Sequence, residues 1–557
     1  VFRAAALLFL GIASMLFVFH ANHVVATNDE GIVLDAAQRM LSGARPYADF
    51  FAYMSPGSYW LQEVVFRIFG VSLWSGRIIV ILDFSLQCAM LFWLVARFAS
   101  RTAAWAVTAM FFGFQIADPS ILTAQHRWDS ATFALVGLCV AISAKRVAAW
   151  MVSGALFGAA AWCTPAMALI GALVAVFLLI RDRRRLIPFI AGIGAVTAAA
   201  VVALSASGSF GAFLNQVLWL QRNYSALNFM PYGAIIGGYR ALFEDSSGVM
   251  EVLMRSALVA CVALPAILPV LGLLLSAFIV GPAFVPASRL FSRLEQLARL
   301  QNLKPAGKPA RRLIGGPTVS DQEWIILLMM IVVALVASTY PRSDVEHLAF
   351  VAAVPYALVA IAFSRVIPKR AAGIASTVAI VFACVFAANF FNSWRNTRTI
   401  ESPIGPLRVA TTDADQLAAL LARVPPGQAA FVYPYMPIDY ILTQAKNPTR
   451  FSFLNPGMMT HEDSLKALDA LRANPPENVL YLKLSAQELV RVFPNGANLD
   501  WHYHELEDWL EQNYAPVEPQ IALWGYRLCR RVEQGSASPP APHPLSETLK
   551  TRATRLF

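Results

Sequence analysis

The sequence predicts an α-helical polytopic membrane protein with a small C-terminal α/β domain, and three observations predict it. Of its 557 residues, 57% are hydrophobic and 14% charged, well below the roughly 25% charged content of ordinary soluble domains. Apolar runs long enough to span a hydrocarbon core of about 30 Å recur as far as residue 391, and the mean hydropathy is +0.55. Beyond that point, strand-like and helix-like patterns alternate instead.

Candidate spans cover residues 4–22, 72–96, 103–117, 129–144, 148–163, 165–180, 186–206, 252–285, 323–340, 348–366 and 371–391, eleven in all. The longest contains Pro265 and Pro269, which give it a reason to kink. If the N-terminus is cytoplasmic, Arg97 and Arg101, Lys145 and Arg146, the run Arg181 to Arg185, the basic stretch from Arg289 to Arg312, and Arg365 with Lys369 and Arg370 all fall inside. Residues 23–71, 118–128, 207–251, 341–347 and everything after 392 then lie outside. The first segment has an alternative reading as a cleaved signal, with "VVA" before Thr27 as the cleavage site, although Arg3 alone makes a thin n-region.

The net charge of +10 is accounted for by these loops. No basic face interleaved with aromatics points to a nucleic-acid partner. Cys88, Cys139, Cys163, Cys261 and Cys384 lie in apolar segments and Cys529 stands alone near the end, so neither a disulfide framework nor a CxxC metal site is implied.

The first outside loop opens on Asn28, Asp29 and Glu30. Apolar residues Ile32, Leu34, Ala37, Met40 and Leu41 recur at helical spacing, predicting a short amphipathic helix along the outer surface. A second helix is expected from Ser58 to Phe69. Between them "GARPYADFFAYMSPG" is broken by Gly43, Pro46, Pro56 and Gly57 into a shaped loop with aromatic walls. The two carboxylates could serve only as first-turn residues of the helix that follows.

An Asp-Glu pair just after the first span, followed by "RMLSGARPYADFFAYMSPGSYWL", many further spans and an outside C-terminal domain, resembles the GT-C glycosyltransferases. The likeness is greatest to their family 39 branch, which includes protein O-mannosyltransferases, the lipid A aminoarabinose transferase and the lipopolysaccharide galacturonic acid transferases. It covers the architecture from residue 1 to about 391, with the specific match confined to residues 28–70. The resemblance implies a bacterial inner-membrane enzyme that moves a sugar, with inversion, from a polyprenyl-phosphate donor to an envelope lipid, glycan or protein. It also implies that Asp29 is the catalytic base, with Glu30 as its neighbour. The implied organisation is a transmembrane domain (1–391) with catalytic loop 23–71, an extracytoplasmic α/β domain (392–532) and a disordered tail (533–557).

The chemistry suits that position. A lipid-linked donor keeps its phosphate at headgroup depth, where the first span ends, and an attacking hydroxyl needs a base within hydrogen-bond reach. The leaving phosphate needs cations. Many family members have a Lys or His near "YMSPG", where this chain has Tyr53, Met54 and Ser55, so the phosphate contact is sought among the outside arginines Arg39, Arg45, Arg127, Arg222, Arg240 and Arg342. Tyr53, Asp344 and His347 are candidate substrate contacts, with Arg342 the first choice for the phosphate. "AQHRWDS" adds His126 and Asp129 at a neighbouring mouth.

No cofactor is expected. "DVEH" (Asp344 to His347) has no established spacing for a divalent metal, and a salt-bridged turn explains it as well.

Past residue 392, "DADQLAALLARV", "SLKALDALRAN" and "WHYHELEDWLEQNY" read as helices, and "QAAFVYP", "ENVLYLKL" and "IALWGYRLCRR" as strands. The segment "MPIDYILTQAKNPTRFSFLNPGMMT" reads as a long loop that packs over the membrane cavity or contacts substrate. The competing classes are a lipid-oligosaccharide flippase or other transporter, and an O-antigen polymerase or ligase. Against a transporter, Asp83 is the only acidic residue well inside a predicted span, and no pair of related halves is visible.

Overall fold

The computed structural model describes residues 1–235, 262–280, 319–366, 368–455, 458–485 and 502–532, with single positions between 248 and 260. The basic stretch Arg289 to Arg312, Arg240 and the tail after residue 532 lie outside the described residues. Its first half runs α1 (Phe2–Phe19), α2 (Asn28–Leu41), α3 (Gly57–Phe69), α4 (Leu73–Gly76), α5 (Ile78–Phe98), α6 (Arg101–Ala117), α7 (His126–Ser143), α8 (Val147–Cys163), α9 (Ala168–Arg181), α10 (Arg183–Ala206) and α11 (Phe210–Asn228). There follow α12 (Leu264–Val280), α13 (Asp321–Ser338), the one-and-a-half-turn α14 (Val345–Phe350), α15 (Ala353–Val366) and α16 (Lys369–Arg395). Among the described residues five helices are long and apolar enough to cross a membrane, and four shorter ones are apolar. This is an integral membrane protein.

Local chemistry sets the helix starts. Ser100 caps α6 by accepting from the Ala103 N–H at 3.1 Å, and Asp182 caps α10 by accepting from Arg184. Ser320 and Glu323 form a reciprocal capping box on α13. At that same end of the bundle Arg97 pairs with Asp321 at 3.3 Å and Arg181 pairs with Glu323. The bundle core is aromatic: Phe84 lies 5.7 Å from Phe111 and 5.6 Å from Trp128, both buried.

Two expectations are corrected at the opposite end. Residues 207–251 were expected to be loop, yet α11 occupies 19 of them. Asn215, Gln216, Gln221, Arg222 and Asn223 interrupt its apolar positions, so it did not read as a span. The helix from Gly31 to Leu41 was expected to lie along the outer surface. Instead α2 is buried from Glu30 through Ala37, because the chain after residue 397 covers the side that faces away from the membrane.

That covering chain begins with a hairpin of β1 (Thr397–Ile400) and β2 (Leu407–Ala410). Backbone bonds join it to the end of α1: the Val24 N–H donates to the Arg408 carbonyl and the Arg408 N–H to the Asn22 carbonyl, each at 2.8 Å. Then come α17 (Ala414–Arg423), β3 (Ala430–Tyr433), α18 (Ile438–Thr443), α19 (His461–Ala473), β4 (Asn478–Tyr481), α20 (His504–Asn513), β5 (Tyr514–Pro516), β6 (Ala522–Leu523) and β7 (Tyr526–Arg531). The sheet order is β3-β4-β7-β5, with β6 paired to β7. Only β3 and β4 run parallel.

The stretch 521–531 was read as one strand, but it is two. Trp524 and Gly525 adopt φ of 51° and 90° and close a two-residue turn of the kind that suits strand twist.

The segment 436–460, expected to be a long loop, contains α18, and its residues 449–452 interlock with the first outside loop. The Phe51 N–H donates to the Arg450 carbonyl at 2.9 Å, and Arg450 Nη2 donates back to the Tyr47 carbonyl at 2.9 Å. Arg39 Nη1 donates to the Thr449 carbonyl at 3.2 Å, and the Ser452 hydroxyl donates to Asp35. This is the packing role rather than a free, substrate-facing loop.

Candidate active site

The adjacent carboxylates face different surroundings. Glu30 is fully buried and accepts two parallel hydrogen bonds from Arg77, Nε at 2.8 Å and Nη2 at 2.9 Å, while the Ala124 N–H reaches Oε1 at 3.3 Å. Arg77 Nη1 donates to the His20 carbonyl at 2.9 Å and to the His23 carbonyl. Every nitrogen of this buried guanidinium is engaged, so the pair is geometrically complete. It fastens the first turn of α2 to the end of α1 and the start of α5. Neither carboxylate is spent on the helix end, since Asp29 points elsewhere: its Oδ1 accepts a 2.9 Å bond from the Tyr435 hydroxyl.

Around Asp29 the structure gathers groups from four separate stretches of chain. Tyr53 comes from the first loop, Tyr224 from α11, Tyr435 from the segment after β3, and Arg342 and Glu346 from the α13–α14 turn; all five feel the charge of Asp29. The segment after α11 holds that turn in place. The Met230 N–H donates to the Pro341 carbonyl at 2.9 Å, Gly233 to Ser343 at 2.8 Å and Val345 to Ala234 at 3.0 Å. Asp344 caps α14 by accepting from the His347 N–H at 3.0 Å and bonds His347 Nδ1 at 2.7 Å. Arg342 Nε lies 3.4 Å from Asp344, whereas its buried Nη2 has no hydrogen-bond partner. Arg127, at the first turn of α7, has no hydrogen bond or ion pair among the described residues, and its charge acts on Tyr53, Tyr224 and His347.

The electrostatics follow from burial beside charge. Burial, and then Asp29, push the Tyr53 and Tyr435 phenols up, so both remain neutral donors. Burial also raises Tyr224. Glu346 is raised to about 8 by burial, by Asp344 and by Asp29. Against burial, which raises it, His347 and Arg342 hold Asp344 well below the usual carboxylate range. Burial lowers His347, with Asp344 opposing. Among the described residues one Asp29 oxygen, Arg342 Nη2 and the Arg127 guanidinium have no hydrogen-bond partner, and Tyr53, Tyr224 and Tyr435 are gathered with them.

Of the residues picked out in the sequence, Asp29, Tyr53, Arg127, Arg342, Asp344 and His347 are brought together. Arg45 is not. It is exposed and held by Asp49 through Nε at 2.9 Å and Nη2 at 2.8 Å, because the two residues are four apart on one tight turn. Arg222 is exposed on α11, with no contact tying it to Asp29 among the described residues. Arg240 lies outside the described residues. Arg39 is committed to Asp35 at 2.8 Å. Glu30 is locked to Arg77 rather than open to substrate.

Sequence reasoning missed Arg77 and Tyr435. Arg77 carried a signal, a lone cation at the start of an apolar span, whereas Tyr435 carried none. Among the described residues no three His, Cys, Asp or Glu side chains converge to hold a metal ion.

Comparison with known proteins places this geometry in a family context. Residues 54–206 match the family described as dolichyl-phosphate-mannose-protein mannosyltransferase. No curated protein matches the whole chain by sequence. The fold is similar to the crystal structure of ArnT from Cupriavidus metallidurans bound to undecaprenyl phosphate, at 13% identity and a TM-score of 0.50, over 95% of this chain and 98% of that one. The oligosaccharyltransferase of Archaeoglobus fulgidus also matches, at 11% identity and a TM-score of 0.45, over 95% and 74% of the two chains. The chain thus shares the fold of ArnT, and its segment 54–206 matches the dolichyl-phosphate-mannose-protein mannosyltransferase family.

Proposed function

We propose that this protein is an inverting glycosyltransferase that takes a sugar from a polyprenyl-phosphate donor and passes it to an envelope lipid, glycan or protein at the outer face of a bacterial inner membrane. The observation that supports the reading is the grouping of Asp29, with one oxygen free of hydrogen bonds among the described residues, with Arg342, whose Nη2 has no partner among them, and with Arg127, which acts on the same tyrosines. ArnT, whose fold is similar, was crystallised with undecaprenyl phosphate. The acceptor hydroxyl attacks the anomeric carbon while Asp29 takes its proton. The bond from that carbon to the phosphate oxygen breaks, and the oxygen keeps the electron pair. Arg342 and Arg127 stabilise the charge that grows there. His347 and Asp344 hold the Arg342 turn in shape, and Tyr53 supplies a wall for the sugar. The orientation with residues 23–71 and 392–532 outside follows from the basic loops.

Transfer from a purified polyprenyl-phosphate sugar tests the assignment. Asp29→Asn should lower turnover by roughly 10²- to 10⁴-fold, the range for loss of a general base, without loss of folding. Arg342→Ala should raise the donor concentration required and slow turnover together. A fully active Asp29→Asn protein would end the catalytic assignment. Mass spectrometry of envelope glycans and lipids from a deletion strain would identify sugar and acceptor by what is missing.

A further inference from the structure

The C-terminal region reaches into the site at one atom. The Tyr435 hydroxyl makes the sole hydrogen bond to the Asp29 carboxylate among the described residues, at 2.9 Å. Three features aim that hydroxyl. The Tyr435 N–H donates to the Tyr526 hydroxyl at 3.1 Å, fixing the backbone to β7. The ring packs edge-on against Phe453, with centroids 5.0 Å apart at 88°. Two residues on, the chain abuts the first turn of α2 at Gly31, where a Cβ would come within 2.0 Å of the Ile438 nitrogen and 2.5 Å of the Pro437 carbonyl carbon. Only a residue without a side chain lets α2 and α18 approach so closely, and that approach brings phenol to carboxylate.

Resting on the reading of Asp29 as the base, we propose that Tyr435 is its positioning residue: it occupies Oδ1 and so leaves Oδ2 to take the acceptor proton. A charge-assisted hydrogen bond of this kind fixes the rotation of the carboxylate. The base is therefore aimed by a residue from the far end of the chain. A tyrosine that merely packs would bond to Asp29 without affecting which oxygen reacts.

The test is Tyr435→Phe, which keeps the ring against Phe453 and removes only the hydroxyl. Transfer should fall roughly 10- to 100-fold in kcat, the loss expected for one hydrogen bond to a charged group, with the donor KM nearly unchanged. In the Asp29→Asn background the same change should cost little more, since residues acting as one unit are not additive. Wild-type kcat in Tyr435→Phe, with Asp29→Asn inactive, overturns the positioning role and leaves Asp29 standing. Additive losses in the double variant overturn it as well. An active Asp29→Asn enzyme instead removes the underlying assignment. Thermal unfolding of each variant shows whether any loss is one of folding.

Discussion

Glu346 shows how one side chain reports on the pocket. It has no hydrogen-bond partner among the described residues, and burial with two neighbouring carboxylates raises it from 4.5 to about 8. The folded protein therefore keeps a proton that the unfolded chain releases first. The contribution to stability is full below pH 4.5 and is lost as pH rises through the folded value of about 8. Glu346→Gln should flatten this dependence, being nearly neutral at the acid end of the window and stabilising at the alkaline end. Unfolding temperatures of both proteins across that range check it, and identical pH slopes would contradict the burial argument. At this scale the sequence was partly legible. Asp29 was singled out by a resemblance over residues 28–70, and its depth at the end of a span, a local property, agreed with it. The fate of Glu30 could not, because its partner Arg77 lies 47 residues away and only tertiary packing joins them.

At the scale of the element, α2 is the part whose meaning changed most. Its apolar period was legible and marked one buried face correctly. Periodicity says nothing about what covers the opposite face, and here Asp35, Gln38 and Arg39 meet Ser452, Gln444 and Thr449 of the covering chain. The helix is fastened at its start by the Glu30–Arg77 pair. Glu30→Gln leaves a guanidinium buried without its counter-charge, a change that typically costs about 3–5 kcal/mol. A large fall in unfolding temperature is expected, unlike the result for Asp29→Asn. Equal unfolding temperatures for wild type and Glu30→Gln would show that the pair is not holding α2.

For the whole molecule, the membrane part was legible because the bilayer imposes its own length and polarity on each helix. Ion pairs of Arg97 and Arg181 with the start of α13 sit at the end assigned to the cytoplasm by charge. An outside-active reporter should therefore work when fused after residue 400 and fail near Lys304; the reverse would invert the orientation. The strands at 430–433 and 478–481 were legible as short apolar runs, but the hairpin at 397–410 was too short to register, and the interlock of loops 47–51 and 449–452 is a property of neither loop alone. That interlock also has a consequence in time. At synthesis rates of about 5–20 residues per second, the 406 residues separating Asp29 from Tyr435 take roughly 20–80 s to make. Asp29 thus reaches the membrane well before Tyr435 is made, so a chain still on the ribosome has the carboxylate without the hydroxyl that bonds it, and the two meet only after residue 435 has left the ribosome.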